Sequence, residues 1–222
     1  MGQTKGICFP GAGEDRLERY VPVTAEIAKG RRGVVNIERR TRDGRLLLDK
    51  GNIIINNFLK SNFAQGDEIS ISARIFFEMP CRLVPADCAS SAELLALLSR
   101  IANLPVRQDI AVTGILNQEG DLEAGDSLGD RIELLFDSSR TEELHGLQGV
   151  MIPQAAVPDM VLRRDVIQAV ENHFFHLIPV RTIEEGIQIL TGVEVGEKDT
   201  FGNHPAGTVN YLVHRGLQRH AV

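Results

Sequence analysis

The sequence predicts a mixed α/β fold, an α+β arrangement in which a mixed sheet is flanked by helices. From about residue 109 onward, short apolar segments alternate with amphipathic segments of helix length, which is typical of an α/β layer fold. The N-terminal third is richer in hairpin-like strands, which favours antiparallel pairs within the sheet. A chain of 222 residues, 43% of them hydrophobic, suits one substantial domain. We therefore expect a single domain over 1–222, with its core over about 6–192 and a loop and C-terminal helix over 193–222.

In the first half of the chain, strands are predicted from alternating apolar residues and helices from apolar residues at helical spacing. Apolar residues on alternate positions predict strands over 19–28, 34–40 and 69–78, with a turn at Asp43-Gly44. Helical spacing predicts a helix over 51–63. Ser90 and Glu93 have the spacing of a capping box, followed by an apolar stripe that ends before Pro105. A second helix is therefore expected from Ser90 onward.

The second half alternates strands and helices. Strands are predicted over 109–116, briefly after a turn at 117–120, over 149–152 and over 174–180, and 153–158 is a predicted loop. Helices are predicted over 127–137 and 162–172, after a cap formed by Thr182 and Glu185, and at the C-terminus, where Val209, Leu212, Val213 and Leu217 form a stripe.

Composition excludes several classes of function. The formal net charge of −6 offers no broad electrostatic attraction for nucleic acid or an anionic membrane. No apolar run approaches the roughly 20 residues of a membrane-spanning helix, and the N-terminus lacks the apolar region of a signal peptide. Three cysteines form a sparse, odd set, which favours a reducing cytoplasm over a disulfide framework. The pair His173 and His176 is a weak metal signal.

Cys88 is the first candidate functional residue, because it lies just before a predicted helix. The positive end of a helix favours thiolate over thiol, and its free backbone N–H groups can hold an oxyanion. The alternative is that Cys88 is a small buried hydrophobe, as most free cysteines are.

Arg131 is the second candidate. The stripe of the helix over 127–137 contains Leu128, Ile132, Leu135 and Phe136, and Arg131 lies on or beside that face. A guanidinium there either extends outward or pairs with a carboxylate, or it points into a site.

Several segments in the same order resemble the proteolytic domain of Lon-type ATP-dependent proteases. The segment 86–94, Ala-Asp-Cys-Ala-Ser-Ser-Ala-Glu-Leu, is similar to the family's Gly-Asp-Ser-Ala-Ser-Ser-Ala-Glu-Leu. The other similar segments are 33–38, Phe77-Glu78, 105–114, 149–153 and 179–187. The resemblance covers nearly the whole chain from about Gly6 and implies the fold of that domain.

The resemblance implies a catalytic site with both dyad positions changed. Members of the family use a serine and a neutral lysine; the serine matches Cys88, and the lysine matches Arg131. The family's glycine pair before the lysine is replaced by Asp126-Ser127, and Ala86 replaces another glycine. Thr113 matches a family threonine near the lysine, which implies that it orients Arg131. Asp87 directly precedes Cys88 and is a candidate ion-pair partner for Arg131.

The resemblance also implies protein or peptide substrates, a six-membered ring and an AAA+ ATPase that unfolds substrates. No GxxxxGK[ST] phosphate loop is present, so we expect no cofactor in this chain and ATP only on a separate or missing ATPase domain. We therefore expect the chain to be a piece of a longer protein or to act without its own motor. Three functions remain open: a protease domain that has lost peptidase activity and serves as a scaffold, a cysteine-dependent hydrolase, and a peptidase that recruits another base, with His145, His173, His176 and His204 as candidates.

Overall fold

A computed structural model describes residues 1–7, 20–30, 33–36, 50–63, 71–78, 89–141 and 145–220. The strands in these ranges are β1 (Gln3–Gly6), β2 (Val21–Lys29), β3 (Gly33–Asn36), β4 (Ile71–Phe77), β5 (Ile110–Val112), β6 (Ile115–Leu116), β7 (Leu122–Glu123), β8 (Gly149–Pro153) and β9 (His176–Val180). The helices are α1 (Lys50–Phe63), α2 (Ser90–Ala102), α3 (Leu128–Thr141), α4 (Arg164–Glu171), α5 (Ile183–Thr191) and α6 (Val209–His220).

One mixed sheet organises the fold, in the order β3-β4-β2-β1-β5-β8-β9. Strands β1, β2 and β4 pair antiparallel, whereas β1, β5, β8 and β9 run parallel. Strands β6 and β7 form a separate antiparallel hairpin. The predicted mixed sheet with flanking helices is confirmed.

Helices cover the two faces of the sheet and bury two apolar clusters. On one face α1, α2, α5 and α6 pack on inward residues such as Val112 and Met151. On the other face α3 and α4 pack on Ala111, Val150 and Ile152. Successive residues of β5 and β8 therefore alternate between the clusters, as side chains of a central strand must.

Three predictions for strands and loops were wrong. Strand β1 was missed because its inward positions are Thr4 and Gly6, which carry no apolar signal. The expected strand over 109–116 is broken at Gly114, whose φ is +146°. The expected loop over 153–158 contains a short 3₁₀ helix, Gln154–Asp159; proline at an internal position ends such short helices quickly.

Of the two predicted helix caps, one is confirmed and one is wrong. Thr182 caps α5 by accepting a hydrogen bond from the amide of Glu185 at 3.3 Å, as expected. The predicted capping box is wrong because Ser90 is not the N-cap of α2; that position is Ala89, which makes no side-chain cap hydrogen bond. The hydroxyl of Ser90 bonds to another part of the chain instead. The predictions for 37–40, Asp43-Gly44 and 69–70 lie outside the described residues.

Among the described helices, none is both long enough and apolar enough to cross a membrane.

Candidate active site at the carboxyl edge of the sheet

Helix α2 begins at the edge of the sheet where β5 ends. The hydroxyl of Ser91 donates a hydrogen bond of 2.9 Å to the carbonyl of Gly114, and the amide of Leu116 donates one of 2.9 Å to the hydroxyl of Ser90. Further along the helix, the hydroxyl of Thr4 donates to the carbonyl of Ala92 at 2.9 Å. Helix α2 therefore runs antiparallel to β1 and β5, with its N-terminus at their carboxyl ends.

The first turn of α2 is fully enclosed. Ala89, Ser91, Ala92 and Leu94 have no accessible surface, and Ser90 is 1% exposed. A helix that is buried on all sides keeps few choices of direction or rotation. The backbone N–H groups of the first turn therefore keep a fixed orientation.

Strand β5 leads into Thr113 and Gly114 at the same edge. The amide of Thr113 donates to the carbonyl of Met151 at 3.1 Å, and the residue is 1% exposed. Gly114 has φ +146°, which strains any other residue, and a Cβ there would lie 2.8 Å from the Leu122 side chain and 3.2 Å from Pro153, so glycine is favoured at this position. By strand alternation the side chain of Thr113 lies on the face that α3 covers.

Helix α3 brings Arg131 to this edge from the other face. The amide of Arg131 donates to the carbonyl of Ser127 at 3.2 Å, and a Cβ on Gly129 would lie 2.7 Å from the carbonyl oxygen of Val161. Leu122, shortly before α3, bonds to Arg181 directly after β9, so the start of α3 lies near the carboxyl edge of the sheet. Arg131 is only 5% exposed, which confirms the predicted position on the buried face.

The two helices therefore start at one edge, on opposite faces of the sheet. Cys88 immediately precedes Ala89 in the chain, but Cys88 and Asp87 lie outside the described residues. The structure thus places Thr113 and Arg131, and it fixes the start of the helix that follows Cys88. Amides at a helix start and a buried guanidinium are groups that can stabilise negative charge in acyl transfer.

Glu93 is a buried carboxyl group that the sequence reading assigned to a cap. It is 1% exposed, in the first turn of α2. The signal for its burial was the composition of 90–102, where small and apolar residues occupy every side of the helix.

A third helix, α5, begins at the same edge, beyond β9. The hairpin joins it there, since the amide of Ile183 donates to the carbonyl of Gly120 at 2.9 Å and that of Leu122 to Arg181 at 2.8 Å. Burial raises the pKa of the half-buried Glu184 above its ordinary value, and the neighbouring charges of Asp121 and Glu185 act in the same direction. Hydrogen bonds from its own backbone and Thr182 oppose that shift.

Three of the four candidate histidines lie away from this edge. His173 and His176 stack with ring centres 6.4 Å apart at the amino end of β9, and His176 contacts the carbonyl of Gly146 at 2.9 Å. His145 is the neighbour of Gly146, so it lies at that opposite end too. His204 contacts the carbonyl of Gly196 and packs beside Phe63. Within the described ranges, no three metal-binding side chains cluster.

The chain is similar to curated proteins of one kind. It is 36% identical over 155 residues to a putative Lon protease homolog of Escherichia coli, covering 70% of this chain and 26% of the relative. It is 28% identical over 188 residues to a putative Lon protease homolog of Haemophilus influenzae, covering 85% and 31%. It is 25% identical over 215 residues to an archaeal Lon protease of Thermoplasma volcanium, covering 95% and 30%.

The chain spans between a quarter and a third of the length of these relatives. No family model matches it.

Proposed function

Because the chain belongs to the Lon-type proteases, we propose that it is the protease domain of an ATP-dependent proteolysis system whose dyad positions are occupied by Cys88 and Arg131. We propose further that its peptidase activity is weak or absent. The observation that carries the proposal is the burial of Arg131, 5% exposed, at the edge where α2 begins.

The loss of activity follows from the chemistry of arginine. A buried lysine can become neutral near physiological pH and accept a proton. A guanidinium stays protonated up to about pH 12, so Arg131 cannot deprotonate the nucleophile. The histidines at the amino end of β9 are separated from α2's start by the length of the strand, which argues against them as a substitute base.

The nucleophile position itself keeps reactive chemistry. A thiol ionises more easily than a hydroxyl, with an ordinary pKa of about 8.5, and the start of α2 favours the thiolate. Without an acid to protonate the leaving amine, peptide bonds are poor substrates. Activated esters and thioesters, whose leaving groups need little protonation, would react more readily. A cysteine-dependent hydrolase is therefore the second candidate.

The partners follow from the family. We propose that the domain acts on protein or peptide substrates, next to an AAA+ ATPase domain in cis or in trans, in a homo-oligomer of six in the cytoplasm. Any ATP would bind to that ATPase and not to this chain. A purely structural role in such a ring is the third candidate; light scattering that shows a stable ring, together with an unreactive Cys88, would favour it.

The test is cleavage of casein by the wild-type chain and by Arg131→Lys. We expect little or no cleavage by the wild type and measurable cleavage by the variant, because lysine supplies the missing base. Arg140→Lys is the matched control, since Arg140 lies exposed on the same helix beside Asp165, and it should leave the rate unchanged. Cleavage by the wild type that survives Cys88→Ala would identify another nucleophile and refute the proposal.

A further inference from the structure

We infer that Ser90 and Ser91 are positioning residues that hold the helix start next to Cys88 in register with the carboxyl end of β5. The inference rests on the proposed function, because it takes Cys88 as the nucleophile position. It concerns two hydroxyl groups to which that function assigns no role.

The two serines make unusual contacts for residues at a helix start. A hydroxyl at the N-cap position ordinarily bonds to the amides of its own helix, but the N-cap of α2 is Ala89, which has no hydroxyl. Ser91 instead donates to Gly114, 23 positions along the chain, and Ser90 accepts from Leu116, 26 positions along. Both serines are buried. The first turn is thus bonded to a neighbouring segment at two consecutive residues.

The segment that forms these two hydrogen bonds, from Gly114 to Leu116, is itself fixed. Gly114 has no room for a Cβ between Leu122 and Pro153, and Leu116 is 1% exposed in β6. Two hydrogen bonds between consecutive residues and a fixed segment define both the position of the helix start along its axis and its rotation about that axis. The N–H groups of that first turn then keep one geometry relative to Thr113.

The same helix provides a matched control. Ser99, near the other end of α2, is also fully buried. Its hydroxyl accepts from the amide of Gly2 at 2.9 Å and donates to the carbonyl of Leu104 at 2.6 Å. Ser99→Ala therefore removes two hydrogen bonds of a buried serine without touching the helix start. A purely structural role for serines in α2 predicts similar results for all three positions.

The experiment measures the alkylation rate of Cys88 by iodoacetamide as a function of pH, peptide by peptide. Arg82 separates Cys81 from Cys88 after tryptic cleavage, so each thiol is measured on its own. The proteins are the wild type, Ser91→Ala, Ser90→Ala, Ser99→Ala and Ser91→Thr. Ser91→Ala is the main variant, because it leaves a carbonyl unpaired, which proteins tolerate better than an unpaired buried N–H.

We expect the wild-type midpoint to lie below that of a free thiol. Ser91→Ala and Ser90→Ala should move the midpoint upward by about half a pH unit, the size of a helix-end effect. Ser99→Ala should leave the midpoint in place, and Ser91→Thr, which keeps the hydroxyl, should restore it.

Two other outcomes would contradict the positioning role. A lowered wild-type midpoint that no variant moves, or that Ser99→Ala moves as far as Ser91→Ala, overturns the positioning role and leaves the proposed function standing. A wild-type midpoint equal to that of a free thiol overturns the positioning role and the cysteine-dependent hydrolase, and it leaves the proposed function to the casein test.

Discussion

Helices α2 and α3 start at the same edge of the sheet but are built in opposite ways. The first turn of α2 is enclosed, and two serine hydroxyls bond it to the segment after β5. The first turn of α3 is open to water, since Asp126, Ser127 and Asp130 are exposed and Arg131 is its buried member.

The difference shows which of the two helix starts is held in place by long-range contacts. The helix next to Cys88 retains long-range contacts that fix its position. The helix that presents Arg131 begins directly after Ser127, a non-glycine residue with φ +55°, where the family resemblance implies glycine. Under the proposed function, the residue at the base position and the residue just before its helix both differ from those that the family resemblance implies.

The largest expected effect comes from truncating a leucine in the first turn of each helix. Leu94→Ala, in the enclosed turn of α2, should lower the free energy of unfolding by about 3–5 kcal/mol, through lost burial and a residual cavity. Leu128→Ala, in the half-buried turn of α3, should cost about 1 kcal/mol because the site can relax into water. Urea denaturation measures both, and equal losses would contradict the contrast.

The next effect concerns the segment to which α2 is bonded. Gly114→Ala should destabilise the fold by about 2–3 kcal/mol, since the new methyl meets Leu122 and Pro153 and the backbone has a positive φ. Gly192→Ala is the control, because its φ is +70° and nothing lies within 4 Å of a Cβ there. It should cost about 1 kcal/mol from the backbone alone. Thermal unfolding of both variants separates the two contributions.

A smaller effect of opposite sign is expected at the start of α3. Ser127→Gly should stabilise the chain by about 0.5–1 kcal/mol, because glycine adopts a positive φ without strain. Asn103→Gly, at φ +57° after α2, should gain less, since asparagine tolerates this conformation. Chemical denaturation of the pair is the measurement; a larger gain at Asn103 would show that Ser127 is not strained.

The smallest effect concerns α5, the third helix at this edge. Because burial raises the pKa of Glu184, the folded state holds its proton more tightly than the unfolded state. The resulting stability is present below the unfolded pKa of about 4.3 and is lost as pH rises through the raised folded pKa. Glu184→Gln should therefore stabilise the chain at pH 7, by less than about 1 kcal/mol for this half-buried group.

The pH dependence identifies the cause. The advantage of Glu184→Gln should disappear in acid, where the wild-type carboxyl is protonated in both states. Glu171→Gln, an exposed position on α4, is the control for the substitution itself. An advantage that persists unchanged at pH 4 would assign the effect to something other than the carboxylate charge.

Most of the fold could be predicted because periodicity is local. The stripes of α2 and α5, the alternation of β4 and the turn at 117–120 all lie within a few residues of sequence. Strand β1 could not be predicted, because a strand whose inward residues are Thr4 and Gly6 has no apolar alternation. The break at Gly114 depends on Leu122 and Pro153, which only the folded chain brings near.

In the candidate site, too, features that depend on local sequence could be predicted and features that depend on distant residues could not. The burial of Arg131 followed from its place in a helical stripe, and the structure confirms it. The contacts of Ser90 and Ser91 could not be predicted, because their partners are more than 20 positions away. Their local spacing favoured a capping box, and tertiary hydrogen bonds prevailed. The assignment of Cys88, Asp87, Thr113 and Arg131 to a dyad and its supports stays a prediction.

The most direct test of the central claim, that a positioned nucleophile has lost its base, is casein cleavage by four chains: wild type, Cys88→Ser, Arg131→Lys and the double variant. General-base catalysis contributes roughly 100-fold or more, so both chains with lysine should cleave at least about 100-fold faster than both chains with arginine. If the wild type or Cys88→Ser cleaves casein as fast as the double variant, the buried arginine does not limit the reaction and the account is wrong.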